Sequence, residues 1–201
     1  MNFLGHAAAA RWQNGDARFV LGAMLPDFAH MAGVRRVVPR DAITAAGVAF
    51  HHRTDEAFHG CPSFHRLCHD GCETLQREGV GRGPSLAVSH LAIELLLDGV
   101  LASDDALVDD YRAALRVDVE LEEHGAMITR VRERLHDAGA PSWYAELDEL
   151  APRLERILAR HPRLALAERD RPPLRAWLDD AHVAVIAAAA PMLDELRARL
   201  G

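Results

Sequence analysis

The chain has 201 residues, with 23 basic and 30 acidic side chains and a formal net charge of −7 at neutral pH. This acidic balance argues against a general nucleic-acid binder, because a phosphate backbone needs a clustered cationic surface. Helix-forming residues dominate, only 5% of residues are aromatic, and alternating β-branched runs are rare. The composition therefore predicts an all-α fold, a single-domain multi-helix bundle over residues 1–201.

Breaks at glycine and proline divide the chain into predicted helices. The second helix is expected to end at Leu25, because proline pushes the residue before it out of the α region. Asp41 and Ser85 are the expected N-caps of the third and fifth helices, and Pro152 and Pro191 are expected to kink later ones. The predicted helices lie at about residues 3–12, 16–25, 42–58, 62–78, 85–102, 104–115, 118–137, 142–160 and 172–199.

Cysteine use and hydropathy indicate the compartment. The three cysteines lie between residues 61 and 72, and this odd number implies no disulfide framework and fits a reducing environment. The first residues lack the basic region and long apolar stretch of a secretion signal. The apolar run at residues 183–191 is far shorter than the roughly 20 residues of a membrane-spanning helix. We therefore expect a cytoplasmic protein with no membrane partner.

Metal-ligating side chains are concentrated early in the chain. Only four of the 12 histidines lie beyond residue 104, where the sequence becomes amphipathic and rich in Arg, Glu and Asp. We expect residues 1–102 to form the half with the functional site and residues 103–201 to supply supporting helices.

The third predicted helix carries His51, Asp55 and His59 at spacing i, i+4, i+8, which places them on one face. Imidazole and carboxylate together suit Mn, Fe or Zn, whereas carboxylates alone favour Mg or Ca. Solvated ion pairs between His and Asp have the same spacing and are the alternative interpretation.

The fifth predicted helix repeats this pattern with His90, Glu94 and Asp98 among apolar residues. Carboxylates on a buried helix carry a large desolvation cost, which either a metal ion or Arg53 would offset. Two such stripes predict a metal site shared between packed helices. His6 and Asp27 are weaker candidates, because a hydrogen-bonded core histidine and a plain N-cap would explain them equally well.

Four segments resemble motifs of the acyl carrier protein phosphodiesterase family, whose members are helical, metal-dependent phosphohydrolases of HD type. Residues 1–6 read Met-Asn-Phe-Leu-Gly-His, where the family has Met-Asn-Phe-Leu-Ala-His. Residues 22–28 are similar to its Gly-Asn-Leu-Leu-x-Asp-Phe stretch, and residues 47–55 to its Gly-Ile-x-x-His-Arg-x-Ile-Asp segment. Residues 94–101 resemble Asp-Val-x-x-Asp-His-Phe-Leu. Order and spacing hold over about residues 1–102.

The resemblance implies an HD-like bundle that removes 4'-phosphopantetheine from acyl carrier protein or cleaves a related phosphoester. It also implies manganese as the divalent metal, with Fe, Zn or Mg as alternatives. Three positions depart from the family pattern: Gly99 replaces the His of the Asp-His pair, Glu94 replaces an Asp, and His59 stands where a second Asp is expected. Loss of the histidine at position 99 removes a candidate ligand or base.

The leading hypothesis is therefore a metal-dependent phosphodiester hydrolase in which bound metal activates a water. Arg53 would neutralise charge on the phosphate, and His52 or His59 would protonate the leaving oxygen. The candidate metal ligands are His6, Asp27, His51, Asp55, His90, Glu94 and Asp98.

A small basic cluster, Arg35, Arg36 and Arg40, follows the Asp27 segment. Carrier protein is itself acidic, so a net-negative enzyme needs a local cationic patch to bind it. The same cluster would equally hold the phosphate of a small metabolite.

Two other classes of function stay open. A ferritin-like di-iron oxidase also places carboxylates and histidines in a helical bundle, but it needs two Glu-x-x-His repeats, and within residues 1–102 only Glu56 is followed by a histidine, His59, at that spacing. The Gly99 departure allows a non-catalytic member of the hydrolase family.

Overall fold

The computed structural model describes the backbone of residues 1–201 and their side chains, except those at positions 143 and 145. Within this part the chain is helical, and the extended segments make one isolated antiparallel bridge, between Pro39 and Leu121. The all-α prediction is thus confirmed. The helices are α1 (Phe3–Gln13), α2 (Ala17–Met31), α3 (Ala42–His59), α4 (Pro62–Arg77), α5 (Arg82–Leu101), α6 (Asp105–Arg116), α7 (Gly125–Ala138), α8 (Leu147–Leu158) and α9 (Arg171–Leu200), with 3-10 turns at Pro141–Ala145 and Glu168–Asp170.

The helices form two compact units. The first comprises residues 1–58 and 101–141 with Leu200, and the second comprises residues 59–100 and 142–199 with Gly201. Helices α1, α2, α3, α6 and α7 therefore belong to the first unit, and α4, α5, α8 and α9 to the second, except that the last residues of α3, α5 and α9 (His59, Leu101 and Leu200) fall in the other unit. Each unit contains residues from both halves of the chain. The boundary between the units therefore differs from the predicted division at residue 102.

Helix α2 does not end at Leu25 as predicted but continues through Pro26 to Met31. An internal proline removes one helical hydrogen bond and crowds the preceding turn. The apolar side chains on both sides of it, Leu25, Phe28 and Ala29, are buried, and this tertiary packing overrides the local preference. Asp27 consequently lies inside a helix, so the N-cap interpretation is wrong.

Two expected N-caps had different outcomes. The backbone N–H of Thr44 donates to Asp41 Oδ1 at 2.9 Å, which confirms Asp41 as the cap of α3. Ser85 lies inside α5, and its hydroxyl donates to the Val80 carbonyl at 3.3 Å. Because α5 begins at Arg82, the prediction for Ser85 was wrong.

The segment before α7 is extended, so α7 begins at Gly125 and not at residue 118. The backbone N–H of Arg40 donates to the Glu120 carbonyl, and that of Glu122 to the Val38 carbonyl, both at 2.9 Å. This pairing joins the chain that follows Arg35 and Arg36 to the extended segment before α7.

Glycines permit a close crossing of α2 and α3. A Cβ added at Gly22 would collide with the Thr44 carbonyl oxygen, and one at Gly47 with the Phe19 carbonyl oxygen. Both obstacles are backbone atoms, so only glycine allows this approach. The crossing places His51 of α3 against the backbone of α2.

Two segments, Arg82–Leu101 and Glu168–Leu200, are long and apolar enough to cross a membrane, by length and composition alone. In the first, 67% of the most apolar window is buried inside the protein, as in the core helix of a soluble protein; in the second the share is 33%. The second includes the run at residues 183–191, so its apolar stretch is longer than predicted from the sequence. The absence of a membrane partner stays a prediction.

Candidate functional site

Three helices of the first unit each contribute one metal-ligating side chain to a common point. His6 of α1, Asp27 of α2 and His51 of α3 each offer one donor atom, and these atoms lie within 4.8 Å of one another. His6 Nε2 is 3.9 Å from Asp27 Oδ2, and the two imidazole rings stack with centroids 3.9 Å apart. Convergence of donors from separate elements is what a metal centre requires. We call this set the first donor group.

The tautomer of His51 is fixed by a backbone carbonyl. His51 Nδ1 lies 2.8 Å from the Ala23 carbonyl oxygen, which can only accept a hydrogen bond. Nδ1 therefore carries the proton, and Nε2 presents its lone pair. Metal-bound histidines are commonly oriented in this way by a carbonyl on the second ring nitrogen.

Thr54 is the hydrogen-bond partner of His6 Nδ1. The Thr54 hydroxyl has one hydrogen, which the His51 carbonyl at 2.8 Å or the Phe50 carbonyl at 3.2 Å can accept. Its oxygen can therefore accept from His6 Nδ1, which lies 2.9 Å away, and this leaves His6 Nε2 with a lone pair. Sequence reasoning missed Thr54, although its position three residues after His51 places it on the same helical face.

We expect Thr54→Val to lower the affinity for a divalent metal by about 10- to 100-fold, as loss of such orienting partners does elsewhere. Valine keeps the shape but removes the acceptor that selects the His6 tautomer. Isothermal titration with Mn²⁺ measures the change. Thr74→Val is the matched control, since that hydroxyl lies on α4 and accepts from Arg77; equal affinities in the two variants would contradict the assignment.

Asp55 lies beside the first donor group. Its Oδ1 is 3.8 Å from His6 Nε2 and 2.8 Å from the α-amino group of Met1. The predicted stripe on α3 thus brings His51 and Asp55 to one place. The α-ammonium group of Met1 neutralises the Asp55 charge, so Asp55 stands beside the donors as a carboxylate that already has a cationic partner.

Burial lowers the pKa of His51, and this effect outweighs the Ala23 hydrogen bond and the Asp55 charge, which act in the opposite direction. Desolvation disfavours the protonated ring. The neutral imidazole that results is the form that binds metal.

The same shift predicts how stability depends on pH. Because the native pKa of His51 lies below its ordinary value of 6.5, only the unfolded chain binds this proton just below pH 6.5. The free energy of unfolding should therefore fall as the pH drops from 6.5 towards the native pKa, with no effect above that window. Urea midpoints between pH 8 and 5 measure the slope, which should be shallower in His51→Gln than in the wild type. An unchanged slope in His51→Gln, with exposed His161→Gln as control, would contradict this.

A second donor group lies in the second unit. His59 Nε2 is 3.1 Å from Glu94 Oε1, His90 Nε2 is 3.2 Å from the same oxygen, and the two nitrogens are 3.2 Å apart. Burial alone would raise the pKa of Glu94, but hydrogen bonds from the two histidines outweigh it and hold the pKa well below its ordinary value. His59, which was expected to protonate the leaving oxygen, lies in this second group of metal-ligating residue types. Asp98 is fully buried on α5 and belongs to neither donor group.

A cavity of about 400 Å³ in the first unit is lined by Arg35, Arg36 and His52. Pro26 also lines it, and this residue directly precedes Asp27, while His52 directly follows His51. The cavity is therefore lined by the two helices, α2 and α3, that carry Asp27 and His51 of the first donor group. Arg40, grouped with the other two arginines in the sequence, is exposed and pairs with Glu120 at 4.0 Å, outside the described lining of this cavity.

Arg53 lies on an exposed side of α3. Its guanidinium is 5.7 Å from the centre of the Phe50 ring and donates to the Leu200 carbonyl at 3.5 Å. Neutralisation of a phosphate by Arg53 stays a prediction. For Glu94, the hydrogen-bond partners are histidines and not Arg53.

Comparison with known proteins gives no match: neither a family model, nor a curated protein, nor a solved structure matches the chain. The resemblance to acyl carrier protein phosphodiesterases, including the HD-like arrangement, thus stays a prediction from the four sequence motifs.

Proposed function

We propose that the chain is a metal-dependent phosphoric ester hydrolase whose metal is held by His6, Asp27 and His51. The observation that carries the proposal is that donors from three helices converge at one point, with the Ala23 carbonyl fixing the tautomer of His51 and the Thr54 hydroxyl bonded to Nδ1 of His6. Two imidazoles and one carboxylate suit manganese, iron or zinc better than magnesium. A bound ion of this class supplies Lewis acidity and an activated water.

The arginines of the cavity would bind the phosphate. Arg35 and Arg36 are exposed and line the same cavity as His52, and planar guanidinium groups suit bidentate contact with phosphate oxygens. The His52 ring lies edge-on to the His51 ring, with centroids 5.3 Å apart. His52 is therefore the best-placed histidine to donate a proton to a leaving oxygen.

The substrate proposed is the phosphodiester of a 4'-phosphopantetheine arm on acyl carrier protein. An acidic carrier protein would dock on the exposed arginines before α3, which counter the net negative charge of the chain. The arginines are as suitable for a small phosphoester, so the substrate is tested separately from the chemistry.

The test is incubation with Mn²⁺ and holo carrier protein, followed by intact-mass measurement, beside a chromogenic phosphodiester. We expect metal-dependent release of the coloured product and loss of the phosphopantetheine mass. Turnover of the small diester alone would keep the chemistry and discard the carrier protein. No turnover of either with Mn²⁺, Fe²⁺, Zn²⁺ or Mg²⁺ would exclude the hydrolase.

A further inference from the structure

The second donor group is more compact than the first. Its three edges measure 3.1, 3.2 and 3.2 Å, whereas His6 Nε2 lies 3.9 Å from Asp27 Oδ2 in the first. Ligand atoms bonded to one small divalent ion at 2.0–2.1 Å are separated from their neighbours by about 3.0–3.4 Å. The triangle formed by His59, His90 and Glu94 therefore already has the dimensions of one face of a coordination shell.

In the metal-free protein the triangle can be held by hydrogen bonds, since one carboxylate oxygen can accept from both imidazoles. Both histidine nitrogens approach the same oxygen of Glu94, so two N–H groups aimed at it would lie side by side, with their nitrogens 3.2 Å apart. Like-oriented N–H dipoles repel each other. A cation in place of those protons converts all three atoms into ligands and removes the repulsion.

Surrounding residues hold the donors in position. Phe64 of α4 is buried, and its ring packs edge-to-face against His59 at 5.5 Å and His90 at 5.1 Å. The Glu94 side chain is only 11% exposed, while His90 is 47% exposed. Glu94 is therefore held inside the protein, and the His90 side of the site is open to solvent.

We infer that His59, His90 and Glu94 form a zinc site of the second unit, with two imidazole nitrogens and one carboxylate oxygen as ligands and a fourth position open to water. This donor set suits zinc, and three protein ligands with one open position are typical of its reactive sites. The inference does not rest on the proposed hydrolase activity, because it uses none of the first donor group.

The chain contains a matched control for this site. His69 and Glu73 form another i, i+4 pair on a helix of the second unit, with His69 Nε2 3.3 Å from Glu73 Oε1. Neither residue belongs to a described group of three donors. His69→Gln therefore removes the same chemical group from the same kind of pair without touching the triangle.

The experiment is zinc titration by competition with a chromophoric chelator, together with the visible spectrum of the Co²⁺-substituted protein. His90→Gln and His59→Gln should each weaken zinc binding at this site more than about a hundredfold, since even loss of an orienting partner costs 10- to 100-fold. His69→Gln should match the wild type. Circular dichroism establishes that the variants are folded.

Every variant is also measured in the Asp27→Asn chain, so that metal at the first donor group does not contribute. Tetrahedral Co²⁺ gives intense visible bands that disappear in His90→Gln, and this outcome supports the inference. Unchanged zinc affinity in both histidine variants, or a weak six-coordinate Co²⁺ spectrum in the Asp27→Asn chain, would overturn it. Because the readout is binding, it is independent of whether phosphoester hydrolysis is detected.

Discussion

Asp27→Asn should lower the rate of metal-dependent phosphodiester hydrolysis by about a hundred- to a thousandfold, because metal activation lowers the activation free energy by several kcal/mol. Asparagine preserves the size of the side chain but removes the negative charge and weakens its binding to a transition metal. Asp27 is partly exposed, at 27% of its side chain, so the substitution should leave the fold intact. Steady-state kinetics with a chromogenic diester at saturating Mn²⁺ measures the loss in kcat/KM.

Asp109→Asn provides the comparison for this variant. Asp109 is also in the first unit, on α6, with a side chain that is 79% exposed and 3.9 Å from Arg112. The same change of charge there should leave the kinetics unaltered. If both variants keep wild-type activity, Asp27 does not hold the metal; if both lose it equally, net charge and not ligation is responsible.

The period of the helices allowed the sequence to predict which side chains share a face. His90 and Glu94 do meet at 3.2 Å, and His51 and Asp55 both lie near His6. The contact of His90 with Glu94, and the shared face of His51 and Asp55, are local consequences of 3.6 residues per turn, so no tertiary information was needed for them.

The sequence did not reveal which helices supply the remaining donors. His6 and Asp27 were weak candidates because each is a single polar residue in an otherwise ordinary segment, and their value depends on where α1 and α2 pack. The continuation of α2 through Pro26 is a further case, because burial of Phe28 on the far side of the proline decided it. Tertiary packing also determines that His59 contacts α5.

Because α2 and α3 cross so closely, adding one methyl group at the crossing should strongly lower the stability of the protein. In Gly47→Ala the new methyl group would overlap the Phe19 carbonyl oxygen and the Gly22 Cα, neither of which can turn aside as a side chain would. Overpacking in a core costs about 1–3 kcal/mol, and more where backbone must move, so we expect a loss of about 3 kcal/mol or more. Urea unfolding measures it.

Separation of the two helices would also pull His51 Nδ1 away from the Ala23 carbonyl, 2.8 Å distant, so the variant should lose affinity for Mn²⁺ along with stability. Gly125→Ala is the control: it lies at the start of α7, and its added Cβ meets no atom within 4 Å. There alanine should be neutral or stabilise by about 0.4–1 kcal/mol through the unfolded state. Equal urea midpoints for the two variants would mean that the helices do not approach so closely, and the geometry that orients His51 would fail with them.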